Sequence, residues 1–230
     1  MSQQWSYSSN TGPDHWGDLN PDWAVAATGK AQSPINIIAD SDSPRSRSIA
    51  ELHFTATDFV IGNTGHTVEI VPATTGNHVV LDGMKYTFRQ AHFHAPSEHR
   101  LNGRSFVMEM HLIGKDDAGH IAVIGLVITL GAENATLRKV FAQIPTTPTD
   151  PADKYEMTKI DLSNLRPANS RTFRYAGSLT TPPCTEGVTW LVYETPIQLS
   201  AAQIKAFTGA YSMNARPVQA LNGRTISVGQ

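Results

Sequence analysis

The run "IAVIGLVITL", Ile121 to Leu130, holds ten residues with no charged side chain. It is too short to cross a bilayer, which takes about 20 apolar residues in a helix. Its many β-branched residues suit a strand buried on both faces, inside a sheet covered on both sides. Neighbouring segments read as further strands. "HTVEIVP" from His66 alternates, "HVVLDGMKYTF" from His78 is two β-rich runs joined through Asp82-Gly83, and Asn102-Gly103 marks another turn.

Helical periodicity is clear in two places. "ATLRKVFAQI" places Leu137, Val140, Phe141 and Ile144 on one face, and "SAAQIKAFTGAY" opens with Ser200 and Gln203 as a capping box. The first thirty-odd residues are rich in Trp, Gly, Pro and Asp without a period, so they read as an irregular segment laid over a core. "PTTPTDPAD" from Pro145 reads as a surface connection. No internal repeat is present. The expected fold is mainly β with a few short helices, a single domain over residues 1–230 built on a large, mostly antiparallel central sheet.

A formal net charge of −2 gives no general pull toward nucleic acid or an anionic membrane, so the expected partner is a small molecule. "MSQQWSYSSN" has neither the basic nor the apolar part of a signal peptide, which leaves a cytoplasmic chain or a mature form whose signal has been removed. Cys184 is the single cysteine, so a metal would have to be held by histidine or carboxylate.

Four of the nine histidines, His92, His94, His99 and His111, crowd into "RQAHFHAPSEHRLNGRSFVMEMHL" from Arg89 to Leu112. Imidazole has no special preference for strands, so the crowding points to chemistry. His92 and His94 are two apart and share a strand face. If the Asn102-Gly103 region returns the chain so that His111 lies opposite His92, then Glu109 lies opposite His94, and three imidazoles converge. Three histidines and an open fourth position describe a catalytic zinc site, for which carbonic anhydrase is the standard example. Gln90 and Glu109 have the parity to orient His92 and His111. A competing pattern is cupin-like, with Glu98 joining the histidines on iron or manganese. Against it, no P-x-G precedes His111, and Glu98 follows Pro96, where a strand should be ending.

Six segments together resemble the α-class carbonic anhydrases of bacterial type: "GKAQSPINI" (29–37), "NTGHTVEI" (63–70), "QAHFHAPSEH" (90–99), "MEMHLI" (108–113), "IAVIGL" (121–126) and "GSLTTPPCTEGVTW" (177–190). The resemblance implies a lyase that hydrates carbon dioxide reversibly by attack of a zinc-bound hydroxide. It implies Zn2+ on His92, His94 and His111, oriented by Gln90, Glu109 and the backbone of Asn214. Thr180 would accept from the hydroxide and donate to Glu98, and Thr181 would sit beside the substrate. Ile113, Val123, Leu179 and Trp190 would form the apolar wall for carbon dioxide. His66 would shuttle the proton, with Tyr7, Asn63, Thr64 and Glu69 along the path.

Thr64 and Glu69 stand where the family usually carries amides, which leaves the ordering of the water path open. Many secreted bacterial members pair the cysteine of "TTPPC" with another before "QSPI". Here Ala26 and Ala27 occupy that place, so Cys184 is expected to be a free, structural thiol. The resemblance implies a periplasmic or secreted mature form, is compatible with a homodimer, and leaves the cytoplasm open. A non-catalytic, carbonic-anhydrase-like binding module is a third reading. The retention of all three histidines with Glu98 and Thr180 argues against it.

Overall fold

The computed structural model describes residues 4–38, 43–45, 50–149, 155–211 and 213–229. In chain order the strands are β1 (Asn36–Ile37), β2 (Glu51–His53), β3 (Thr57–Asn63), β4 (Val68–Pro72), β5 (His78–Leu81), β6 (Met84–His94), β7 (Arg100–Leu101), β8 (Met108–Lys115), β9 (Ile121–Leu130), β10 (Tyr155–Ile160), β11 (Thr172–Ser178), β12 (Glu186–Leu199) and β13 (Ser227–Gly229). The α-helices are α1 (Trp16–Leu19), α2 (Val25–Thr28), α3 (Arg138–Ala142) and α4 (Ala201–Ala210).

Eleven of the strands form one sheet in the order β10-β3-β4-β6-β8-β9-β12-β11-β13, with β5 also on β6 and β2 on β5. Every pairing in it is antiparallel except β9 with β12. β9, the apolar decamer, lies inside the sheet as expected. Its Ala122, Ile124, Leu126 and Ile128 join the larger hydrophobic cluster, which also takes Val140 and Phe141 of α3 and Phe207 of α4. Val123 and Val127 point the other way, into a second cluster with Trp190 and Val192 of β12. The sheet is thus covered on both faces.

Both predicted turns form. Asp82 and Gly83 have φ of 52° and 76°, and Asn102 and Gly103 have 50° and 79°. Positive φ at both central residues is what a two-residue type I′ turn requires. The first turn joins β5 directly to β6. The second closes on Leu101 and Arg104, inside the longer connection between β6 and β8, where β7 pairs in parallel with β1.

β6 contains a bulge. Phe88 pairs with Gly114 and Gln90 with Ile113, so Arg89 is one residue more than its partner strand supplies. Before it, Tyr86 and Phe88 face the core; after it, Ala91 and Phe93 do. The extra residue changes which parity points inward, and Gln90, His92 and His94 emerge on the opposite face.

α4 carries the expected capping box: the Ser200 hydroxyl accepts from Gln203 N, and Gln203 Oε1 accepts from Ser200 N. The N-terminal segment is more regular than its sequence suggests, with α1, α2 and three short 3-10 turns. Each is three or four residues long, too short for a period to show. Trp16 anchors the segment, fully buried, with its Nε1 donating to the carbonyls of Ser6 and Thr11. Among the described residues, no helix is long and apolar enough to cross a membrane. The Pro145 connection is described as far as Thr149; its residues 150–153 lie outside the described residues.

Candidate metal centre and active site

The β6–β8 register sets His92 opposite His111 and His94 opposite Glu109, the arrangement that the histidine spacing anticipates. The ring centroids of the three histidines lie 4.7 to 5.2 Å apart. One nitrogen of each ring is already engaged. His92 Nδ1 meets Gln90 Oε1 at 2.8 Å, His94 Nδ1 donates to the carbonyl of Asn214 at 2.7 Å, and His111 Nε2 meets Glu109 Oε1 at 2.9 Å. That leaves Nε2 of His92 and His94 and Nδ1 of His111. A group of one ligand atom from each residue lies within 4.8 Å of one another.

His94 Nε2 is buried and has no hydrogen-bond partner among the described residues. With Nδ1 donating to a carbonyl, a neutral His94 ring turns a bare lone pair into this gap, which is costly unless an electrophile receives it. Burial holds the pKa of all three histidines below the usual imidazole range, His94 at about 4. Neutral imidazoles with one nitrogen braced and the other free suit a zinc ion with its fourth position open.

Glu109 is the main brace. Its Oε2 accepts from the backbone N–H groups of Glu98 (3.0 Å) and His99 (2.8 Å), and its Oε1 contacts His99 Nδ1 (2.7 Å) and His111 Nε2 (2.9 Å). Burial works against its charge, yet the pairing with His99 and His111 holds its pKa well below the usual carboxylate range. Gly125 makes room for it: a Cβ there would stand 3.0 Å from Glu109 Oε1. His99, Glu109 and His111 form a second close group, but their atoms already satisfy one another, so this is a hydrogen-bonded support. His99 Nε2 continues to the Tyr175 hydroxyl at 2.7 Å, and that hydroxyl to Ser33 Oγ at 2.8 Å. The spacing of the histidines assigns His99 no role, and no local pattern marks Tyr175, Ser33 or Gly125 as its support.

Glu98 is 2% exposed, and its Oε1 accepts from Arg216 N at 2.8 Å. Its Oε1 lies 3.5 Å from His94 Nδ1 and its Oε2 3.9 Å from His111 Nδ1. Burial raises its pKa to about 7, against the opposing influences of His111, the Arg216 N–H and the Thr180 hydroxyl. Thr180 is therefore its neighbour, although Oε2 closes no hydrogen bond of ordinary geometry. The Arg216 guanidinium turns away, to Gln32 Oε1 and the carbonyls of Ser33 and Ala26.

Ile113, Val123 and Trp190 stand side by side across β8, β9 and β12, in one cluster with Leu179. Trp190 donates Nε1 to the carbonyl of Ser178, and its ring centroid lies 4.8 Å from that of His111. Thr181 follows Thr180 into a turn in which its carbonyl accepts from Cys184 N.

His66 is half-buried on the turn between β3 and β4, and its ring stacks on Trp5 at 3.7 Å with 10° between planes. Burial lowers its pKa. Tyr7 meets the same ring edge-on at 6.5 Å. Trp5 escaped the sequence reading because it lies in the segment without a period. Glu69 is paired directly with His92 across β4 and β6, so it shares the face of the histidines. Asn63 spends its side chain on backbone, accepting from Gly65 N and donating to the carbonyl of Pro145. Cys184 is buried in one small cluster with Trp16 and Ala26, and burial pushes its thiol up to about 11, where it stays protonated.

Residues 11–230 match the eukaryotic-type carbonic anhydrase family. The chain belongs to that family. A carbonic anhydrase of Klebsiella pneumoniae is 39% identical over 228 residues, covering 98% of this chain and 91% of the relative. One from Pectobacterium carotovorum is 40% identical over 226 residues, with 98% and 91% covered. The α-carbonic anhydrase of Thermovibrio ammonificans, solved in complex with sulfanilamide, superposes with a TM-score of 0.92 at 38% identity over all of both chains. As a carbonic anhydrase, the chain is a lyase acting on carbon dioxide and bicarbonate. The cupin reading ends here, and Glu98 lies outside the three-histidine group.

Proposed function

We propose that this carbonic anhydrase hydrates carbon dioxide at a zinc ion held by His92, His94 and His111, and that His66 carries the released proton to solvent. The observation that carries the reading is the set of three converging imidazoles, each braced on one nitrogen, with a bare, buried His94 Nε2 among the free ones. Bound there, zinc supplies a water whose pKa falls to about 7, hence a hydroxide for carbon dioxide at neutral pH, and its charge favours ionised Glu98.

The side chains do the rest. An ionised Glu98 only accepts, so the single Thr180 proton belongs to it, and the Thr180 oxygen is left to accept from the nucleophile and aim its lone pair. Ile113, Val123, Leu179 and Trp190 offer carbon dioxide an apolar surface with no donor to hold it too tightly. His66, half-buried and lowered in pKa, is neutral at pH 7 and able to take a proton. Tyr7 keeps its own proton, since burial and the nearby Glu98 raise its pKa well above the ordinary value. Metal analysis with a hydration assay tests the reading: one zinc per chain, rapid hydration, and loss of both in His92→Ala are expected. Bound iron or manganese without hydration would overturn it.

A further inference from the structure

The turn that presents His66 is tied down by side chains. Thr64 Oγ1 donates to the carbonyl of Thr67 at 3.1 Å and accepts from the N–H groups of His66 (3.3 Å) and Thr67 (3.1 Å). A hydroxyl has one proton and two lone pairs, so all its capacity is used. Thr64 is exposed, yet its hydroxyl has nothing left with which to order a water. Thr67 passes the restraint to the metal strand: its Oγ1 donates to the carbonyl of Phe93 at 2.5 Å and accepts from Phe93 N at 3.3 Å. Phe93 is the residue between His92 and His94. Asn214 closes the frame, its Nδ2 donating to the carbonyls of His66 (3.0 Å) and Phe93 (2.9 Å).

We infer that Thr64 is a positioning residue for proton transfer, its hydroxyl fixing the His66 backbone against the strand of the metal ligands rather than ordering water in the path. The inference rests on the shuttle role of His66 proposed above. Gly65, at φ 85°, lies inside the clamped turn. Glycine gives the backbone more freedom than any other residue, and the turn offsets it with the Thr64 N–H on the Thr67 carbonyl, with Asn63 Oδ1 on Gly65 N, and with the Thr64 hydroxyl on the two N–H groups that follow the glycine. Proton transfer depends steeply on geometry: a displacement of about 1 Å in a positioned group can cost as much as 10²-fold in rate.

The test compares Thr64→Val, Thr64→Ser and His66→Ala, each first shown to hold zinc as the parent does, in hydration assays at low buffer and with added imidazole. The step that releases the proton enters kcat and not kcat/KM, so the two constants separate the roles. Thr64→Val is expected to lower kcat by about 10-fold at low buffer, keep kcat/KM, and recover with imidazole; Thr64→Ser, which keeps the hydroxyl, should match the parent. Unchanged kcat in Thr64→Val beside a fallen kcat in His66→Ala would overturn the inference and leave the shuttle standing. Unchanged kcat in His66→Ala would overturn both. An equal fall of kcat and kcat/KM in Thr64→Val would also overturn it, as general damage to the site.

Discussion

Asn214 holds the backbone of His66 through its side-chain amide, 3.0 Å from the carbonyl, while its own carbonyl receives the Nδ1 proton of His94 at 2.7 Å. A single residue from the C-terminal part of the chain therefore fixes both a proposed metal ligand and the proposed proton carrier.

Asn214→Ala should weaken the fold and the proton path together. The side chain also accepts from Ala95 N at 2.7 Å, a buried donor that truncation would leave unsatisfied. Such losses cost about 1 to 3 kcal/mol each, so thermal unfolding should show a clear drop. At low buffer kcat should fall by more than kcat/KM, because the backbone carbonyl that orients His94 is retained. A variant with unchanged unfolding temperature and unchanged kcat would refute this account of Asn214.

Glu109→Gln keeps the shape of the brace and removes half its acceptors. Four donors converge on the carboxylate, and an amide can turn only its oxygen to two of them while its NH2 group opposes the others. Zinc affinity should fall by about 10- to 100-fold, measured by competition with a chromogenic chelator. Equal affinity in the two proteins would show that Glu109 supports the fold alone.

The pH profile of kcat should reveal the burial of His66. Only the neutral imidazole accepts a proton, so kcat declines as the pH falls through the His66 pKa, which burial sets below the ordinary 6.5. The profile should be flat from pH 9 to about 7 and bend only below 6.5. In His66→Ala this bend should disappear. A decline beginning above pH 7 in the parent enzyme would contradict the placement of the ring.

Cys184 should be inert in the native protein. Its thiol is fully buried and raised to about 11, so the reactive thiolate is scarce at pH 8. Iodoacetamide at pH 8 should label the urea-unfolded chain and leave the folded one untouched, as mass spectrometry would show. Rapid native labelling would place the thiol at the surface.

Parity made much of the centre legible. Two-residue spacing puts Gln90, His92 and His94 on one face and Glu109 and His111 on another strand's face, and turn signals such as Asp82-Gly83 locate hairpins. Asn214 could not be found that way. It lies 120 residues from His94, and only the likeness to a known family pointed to it. Tyr175, which supports His99 from 76 residues away, and Arg216, whose N–H meets Glu98 from 118 residues away, have no local signature at all. Trp5 and the one-turn helices near it belong to a segment held by contacts with distant loops, at His66, Cys184 and Arg216, rather than by its own periodicity. Glu98 follows Pro96, which argues against its being a ligand on the strand, and the structure keeps it off the three-nitrogen group.

The bulge at Arg89 gives this strand one residue to spare. Deleting Arg89, with the β5–β6 turn held in place, would set Gln90 directly after Phe88, as their partners Ile113 and Gly114 already stand, and His92 and His94 would keep the cavity face. A second loss between Phe88 and His92 would find no surplus to draw on and would turn both histidines toward the core. The strand can therefore absorb one gap and not two, and a chain with every ligand still written in its sequence could lose its metal site at the second.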